Sequence, residues 1–220
     1  EQDPNDEPAS ELLKRIEAEK KKLIKAGEIK DKKLLPQELE AHSLDLPTNW
    51  SESSLGQLSK KIQYGYTASA DKTSKKIGFL RITDIQNDRV DWRSVPACDI
   101  TPADARAFLL EDGDILVART GGTIGKTFLV DSIPRVSVFA SYLIRLQPVF
   151  ETMSKYLKLF TGSSYYWNQL QDGSRGAGQP NVNAKTLAKI TLNLPPLAEQ
   201  KRIVAKVEEL MAPCDRLESA

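Results

Sequence analysis

One histidine and two cysteines are all that this 220-residue chain holds of the usual soft or imidazole metal ligands. Cys98 and Cys214 are isolated from each other and from any zinc-type ligand spacing, which excludes a disulfide framework or a zinc core. His42 lies in a polar stretch with no evident second ligand and reads as a surface residue. Long apolar runs are missing too. None approaches the ~20 residues needed to cross a bilayer, and there is no secretory apolar region near the start. With a first residue other than Met, the expectation is a processed or excised piece of a cytoplasmic protein, with no metal, no cofactor and no membrane contact.

What is present suffices for a packed interior: 40% of residues are hydrophobic and 28% are charged. The net charge of +1 argues against nucleic acid only until its distribution is read. Residues 55–190 carry 18 Lys and Arg against 12 Asp and Glu, whereas the remainder carries 13 against 18. A basic middle between acidic flanks fits a DNA-facing module with helical, partner-facing ends; the competing reading is ordinary solvated charge.

Three segments follow from the pattern. Residues 1–45 hold an amphipathic helix over 6–26 and a polar linker. Asp6 is positioned to cap the helix, Pro8 suits its first turn, and Gly27 is a stop. Ala9, Leu12, Leu13, Ile16, Leu23 and Ile24 form its apolar stripe. Residues 46–195 form an α+β region with a mixed or antiparallel sheet, beginning where Trp50 is placed as a buried anchor. Strands are expected over 77–85, 114–118, 124–130 and 141–146, and a helix from Thr101 to Leu109. Met153 to Leu170 is expected to be helical with a break at Gly162, its aromatics serving as core. Residues 196–220 carry a seam of Ile203, Val207, Leu210, Cys214 and Leu217 at heptad spacing, widened by Val204 and Met211. Such a stripe needs a partner helix, either the N-terminal helix in a coiled-coil-like element or another chain. Pro213 predicts a kink or a helix end.

Several catalytic motifs are approached and missed. Thr120-Gly121-Gly122-Thr123-Ile124-Gly125-Lys126-Thr127 places Thr where a phosphate-binding loop requires its first Gly, and a strand-like Phe128-Leu129-Val130 follows instead of a helix. A tight turn between strands is the better reading. Pro195-Pro196 is followed by Leu197, not by the aromatic of an amino-methyltransferase motif, and Glu19-Lys20-Lys21 sits on a solvated helix face without a partnering strand Asp. No nucleophile, base and oxyanion donor assemble, so the chain reads as non-catalytic.

Taken in order, several stretches carry a resemblance. Asp3-Pro4-Asn5-Asp6-Glu7-Pro8-Ala9-Ser10-Glu11-Leu12-Leu13 comes first, then Leu46-Pro47-Thr48-Asn49-Trp50 with Leu55-Gly56, Asn49 standing where Gly is usual. Leu80-Arg81-Ile82-Thr83-Asp84-Ile85, Gly113 through Gly121, and Ile124-Gly125-Lys126 follow. Gly178-Gln179-Pro180-Asn181-Val182-Asn183 and Leu194 through Val204 complete the set. Together they resemble the type I restriction–modification specificity subunits across nearly the whole chain. That resemblance implies a non-catalytic subunit with target-recognition domains that read double-stranded DNA. It also implies conserved helices that space two half-sites and dock methyltransferase subunits, which restriction subunits then join. With one recognition domain and a helix on either side, the chain looks like half of such a subunit, cut from a longer protein or self-associating through its helices.

Reading sequence requires donors and acceptors aimed at base edges and held in register by phosphate contacts. Three loops suit that task. The first holds Tyr64, Tyr66, Thr67 and Ser69 and runs into Lys72, Lys75 and Lys76; the second is the glycine turn with Arg119, Thr120 and Lys126. The third holds Ser174, Arg175, Gln179 and Asn181, with Gln179 or Asn181 suited to adenine and Arg175 to guanine. Competing structural roles exist: an Arg81–Asp84 pair inside the fold, Tyr64 and Tyr66 as core edges, and Asn183 as a helix cap. A helical interaction module with a passive, non-reading middle is the alternative from another functional class.

Overall fold

The structure, a computed structural model, describes residues 2–30, 46–71, 76–172 and 182–218, with side chains up to Pro213. His42 and the linker around it lie outside the described residues.

The first helix, α1 (Ala9–Lys25), buries Ala9, Leu12 and Ile16, so the apolar stripe faces the core as its spacing requires. Asp6 does not cap it. Pro8 occupies the cap position without a side-chain bond, and Asp6 instead pairs with Arg202. The stop is as read: Gly27 at φ +73° lets Glu28 N–H reach the Leu23 carbonyl and Gly27 N–H the Ile24 carbonyl, a Schellman ending. Trp50 is half-buried rather than buried, and its indole N–H donates to Glu199 at 2.9 Å.

From there β1 (Ser51–Ser54) leads into the short α2 (Leu55–Leu58), closed by a capping box between Ser54 and Gln57. After β2 (Ser59–Tyr64) and β3 (Ala70–Asp71) comes β4 (Gly78–Leu80). The strand expected over 77–85 breaks at Arg81. Its backbone N–H and guanidinium both bond Asp84, which folds Ile82–Asp84 into a 3₁₀ turn before the hairpin of β5 (Ile85–Gln86) and β6 (Arg89–Val90). Beyond β7 (Ala97–Cys98), Thr101 caps α3 (Pro102–Ala105) by accepting from the Asp104 N–H. This helix stops well short of Leu109, which is drawn into a bridge with Val138.

The remaining strands are β8 (Ile115–Ala118), β9 (Thr127–Leu129), β10 (Ser137–Phe139) and β11 (Leu143–Pro148). β9 starts later than expected because Ile124 and Gly125 belong to the preceding turn, and β11 because Ser141 and Tyr142 do. Helices α4 (Ser154–Phe160) and α5 (Ser164–Asp172) flank the foreseen break at Gly162. Asn183 then caps α6 (Ala184–Lys189), accepting from Thr186 N–H at 2.9 Å; β12 (Thr191–Leu194) and α7 (Leu197–Glu218) complete the chain.

These elements stack in layers, and the fold class is α+β as expected. One antiparallel sheet has the order β2-β11-β8-β9, a second has β10-β4-β7-β3 with β10 parallel to β4, and β1 pairs with β12. On β8, Ile115 and Val117 face a core shared with α1, α2 and the later helices, while Leu116 faces a second core with Leu80 and Phe139. A strand buried on both faces has no reason to alternate, hence the unbroken Ile-Leu-Val-Ala. A third cluster of Phe79, Val138, Cys98 and Ile100 covers the far side of the second sheet. The buried Arg145 on β11 pairs with the buried Asp114 at 3.1 Å and donates to the Leu109 and Ala107 carbonyls.

The last helix bears on two expectations. Of the kink or helix end foreseen at Pro213, the end does not occur: α7 continues through it, and the carbonyl that Pro213 leaves without an N–H partner belongs to exposed Glu209. Its first turns pack on α4, with Val204 buried, Ile203 half-buried and Lys155 bonded to Glu208 at 2.9 Å. The intrachain partner of the seam is therefore α4, and the turn ahead of α1 meets α7 through the Asp6–Arg202 pair. Val207 is half-buried, Leu210 and Met211 are exposed, and the side chains of Cys214 and Leu217 lie outside the described residues.

Candidate nucleic-acid interface

Antiparallel pairing in β2-β11-β8-β9 brings four strand ends to one edge, where β2 and β8 finish and β9 and β11 begin. Tyr64-Gly65-Tyr66, the turn from Arg119 to Lys126, and Ser141-Tyr142 therefore emerge side by side. The segment after the third loop returns to the same place: Val182 N–H donates to the Arg119 carbonyl at 3.1 Å, and Ala184 N–H donates to the Tyr64 hydroxyl at 3.2 Å. Between them the Arg119 guanidinium lies over the Tyr64 ring, 4.5 Å from its centroid. A cation–π contact of this kind contributes about 0.5–1 kcal/mol at an exposed site. Three segments far apart in sequence, around Tyr64, Arg119 and Val182–Ala184, are thus joined through one arginine and one tyrosine.

The sequence-derived residues take different parts. Tyr64, Thr67, Ser69, Lys76 and Lys126 are exposed, while Thr120 and Arg119 are half-buried. Arg119 is occupied by Tyr64 and by the Ser141 carbonyl, which makes it an organiser of the edge. Tyr66 is half-buried, bridges Ala140 and packs its ring 5.3 Å from that of Phe108, so it is a core edge. Lys72 and Lys75 of the first loop, and Ser174, Arg175, Gln179 and Asn181 of the third, lie outside the described residues. Asn183 spends its side chain on the cap.

The glycine turn is built for packing. Gly121–Thr123 forms a 3₁₀ turn between β8 and β9, and no helix follows to bind a phosphate. Gly125 sits at φ +81°, where an added Cβ would lie 2.4 Å from Leu170 and 2.7 Å from Trp167. Its carbonyl accepts from the buried Tyr166 hydroxyl at 3.0 Å, and the Thr127 hydroxyl meets that of Thr161 at 2.7 Å. Gly125 and Thr127 are thereby engaged in the fold, whereas Gly121, Gly122, Thr123 and Lys126 are exposed. Among the described residues no three His, Cys, Asp or Glu side chains gather as metal ligands.

Comparison with known proteins decides the family. Residues 47–220 match the family model for the "type I restriction modification DNA specificity domain". The chain belongs to that family. Among curated members, the specificity subunits of the Escherichia coli type I restriction enzymes EcoAI and EcoEI are 31% and 29% identical over 98% and 99% of this chain. In each case the match spans 38% of the relative, so the chain corresponds to well under half of those subunits. The HsdS subunit of Thermoanaerobacter tengcongensis shares the fold with a TM-score of 0.61 at 18% identity, over 96% of this chain and 46% of that one. A chain from a structural study of type I restriction–modification complex assembly gives 0.63 at 18% identity, over 96% and 47%.

Two features of this family member escaped the sequence reading. The β5–β6 hairpin turns through Asn87 and Asp88, both at positive φ, and Asp88 pairs with Lys158 at 2.9 Å. Lys158 also donates to the Thr127 carbonyl at 2.6 Å, which ties the hairpin to the start of β9. The Asn-Asp dipeptide was the available signal, since both residues tolerate left-handed backbone. Tyr142 was hidden inside the strand expected over 141–146.

Proposed function

We propose that this chain is a target-recognition half of a type I specificity subunit and that it reads one half-site of double-stranded DNA with the β2–β8–β11 edge. The observation that carries this reading is the convergence of Tyr64, Arg119 and Val182 at that edge, in a chain matched to the specificity family over most of its length. Exposed Lys76 and Lys126 meet phosphates, as do Lys72 and Lys75; Thr67, Ser69 and the loop holding Ser174, Arg175, Gln179 and Asn181 address the bases. Residues 46–195 form the reading domain. The helix within 1–45 (residues 6–26 by sequence) and the seam of 196–220 dock methyltransferase subunits, with restriction subunits joining them, or pair with a second set of helices in a coiled-coil-like spacer. Exposed Leu210 and Met211 support an external partner for that seam. The chain itself performs no catalysis and acts in the cytoplasm.

Selection from a random duplex DNA library, with this chain assembled with its methyltransferase subunits, tests the reading. Recovery of one short, fixed motif is the expected result. Salt-sensitive binding without a motif reduces the chain to a backbone-binding spacer. No binding at low salt by an assembled complex refutes DNA recognition.

A further inference from the structure

We propose that Tyr142 is a specificity-determining residue that inserts its ring into a groove of the target duplex; this rests on the DNA-reading function proposed above. Five large apolar or aromatic side chains are exposed among the described residues: Tyr64, Val136, Tyr142, Leu210 and Met211. Only the two tyrosines stand at the edge where the loops converge. Tyr64 is committed, its ring to Arg119 and its hydroxyl to Ala184. Tyr142 is 61% exposed, and its phenol has no hydrogen-bond partner among the described residues.

The backbone beneath Tyr142 is, by contrast, tied down on both sides of it. Leu143 N–H donates to the Ala140 carbonyl at 2.9 Å, closing the turn. Ser141 N–H donates to the Tyr66 carbonyl at 2.9 Å, and Gly65 N–H to the Leu143 carbonyl at 3.2 Å. Arg119 N–H donates to the carbonyl of Tyr142 itself at 3.1 Å. A fixed turn that holds an aromatic ring out into water gives up burial the fold could have used, yet it places a rigid contact with few rotamers to lose on binding. The position suits a groove as well: β9, whose start follows exposed Lys126, and β11, which Tyr142 precedes, flank β8 on either side. A cation on one side can hold a phosphate while the ring packs on a thymine methyl or a sugar and the phenol bonds a base edge.

The test applies random-duplex selection to the assembled complex carrying wild type, Tyr142→Ala or Tyr142→Gln. Failure of the wild type to select a motif removes the DNA-reading function, and Tyr142 with it. If the wild type selects a motif, the variants are expected to bind it roughly ten- to a hundredfold more weakly and to lose preference at one or two positions. Their thermal midpoint and salt slope should stay at wild type, because the ring is exposed and uncharged. An unchanged motif with unchanged affinity overturns the proposal. So does an equal loss on every sequence, or a loss of binding that tracks a lowered midpoint in both variants, either of which makes Tyr142 a backbone or scaffold residue.

Discussion

At the scale of single residues, the glycine turn separates conformational from steric demand. Gly121 and Gly125 both have positive φ, but an added Cβ at Gly121 meets nothing within 4 Å, whereas at Gly125 it strikes Leu170 and Trp167. Gly121→Ala is therefore expected to cost about 1 kcal/mol from backbone strain alone. Gly125→Ala adds overpacking and should cost roughly 2–4 kcal/mol, lowering the thermal midpoint several degrees further. Equal midpoints for the two variants would refute the packing account. Lys126, exposed and without a carboxylate partner among the described residues, belongs to a different class. Lys126→Ala should leave the midpoint unchanged, weaken binding on all DNA sequences and reduce the salt slope by about 1, as read from affinities at several salt concentrations.

Among the elements, legibility followed the locality of the signal. The stop at Gly27, the caps at Thr101 and Asn183 and the break at Gly162 are decided within a few residues, and each stands where the sequence placed it. Strand limits near 124 and 141 did not, because that loop edge is also held by distant partners such as Ser141 N–H on the Tyr66 carbonyl and Arg119 N–H on that of Tyr142. The limit near 81 is local: the Arg81–Asp84 pair was foreseen as a contact, but not as the turn that ends a strand. The glycine turn after Ala118 was legible as a turn; that Arg119 joins it to Tyr64 and Val182 was not, since stacking on a tyrosine 55 positions earlier leaves no periodic trace. The same limit hid α4 as the partner of α7. Pro213 inside α7 gives this scale its own test: Pro213→Ala restores one helical hydrogen bond and should slow amide exchange over residues 210–217, leaving the body of the protein unaffected.

Over the whole molecule, the layered core withholds two phenols from water. Tyr156 bonds the Asn193 carbonyl and Tyr166 that of Gly125, and burial pushes both well above the ordinary tyrosine value of 10.0. The unfolded chain then releases these protons first, so stability is intact below pH 10 and declines above it, by about 2.7 kcal/mol per pH unit for the pair. Alkaline titration should show two phenols ionising only together with loss of helix, and one in Tyr156→Phe or Tyr166→Phe. The pairing of β1 with β12, Ser51 against Leu194, has a consequence of another kind. Adjacent antiparallel strands lie about 5 Å apart, so the chain enters and leaves the stretch between them at one place. The outer helices grip that stretch as well: Leu12 and Ile16 of α1 share its core, Lys20 bonds the Gly56 carbonyl, and Lys155 of α4 bonds Glu208 of α7. A pull on either helix is therefore felt in the body of the protein through side chains as well as along the two strands.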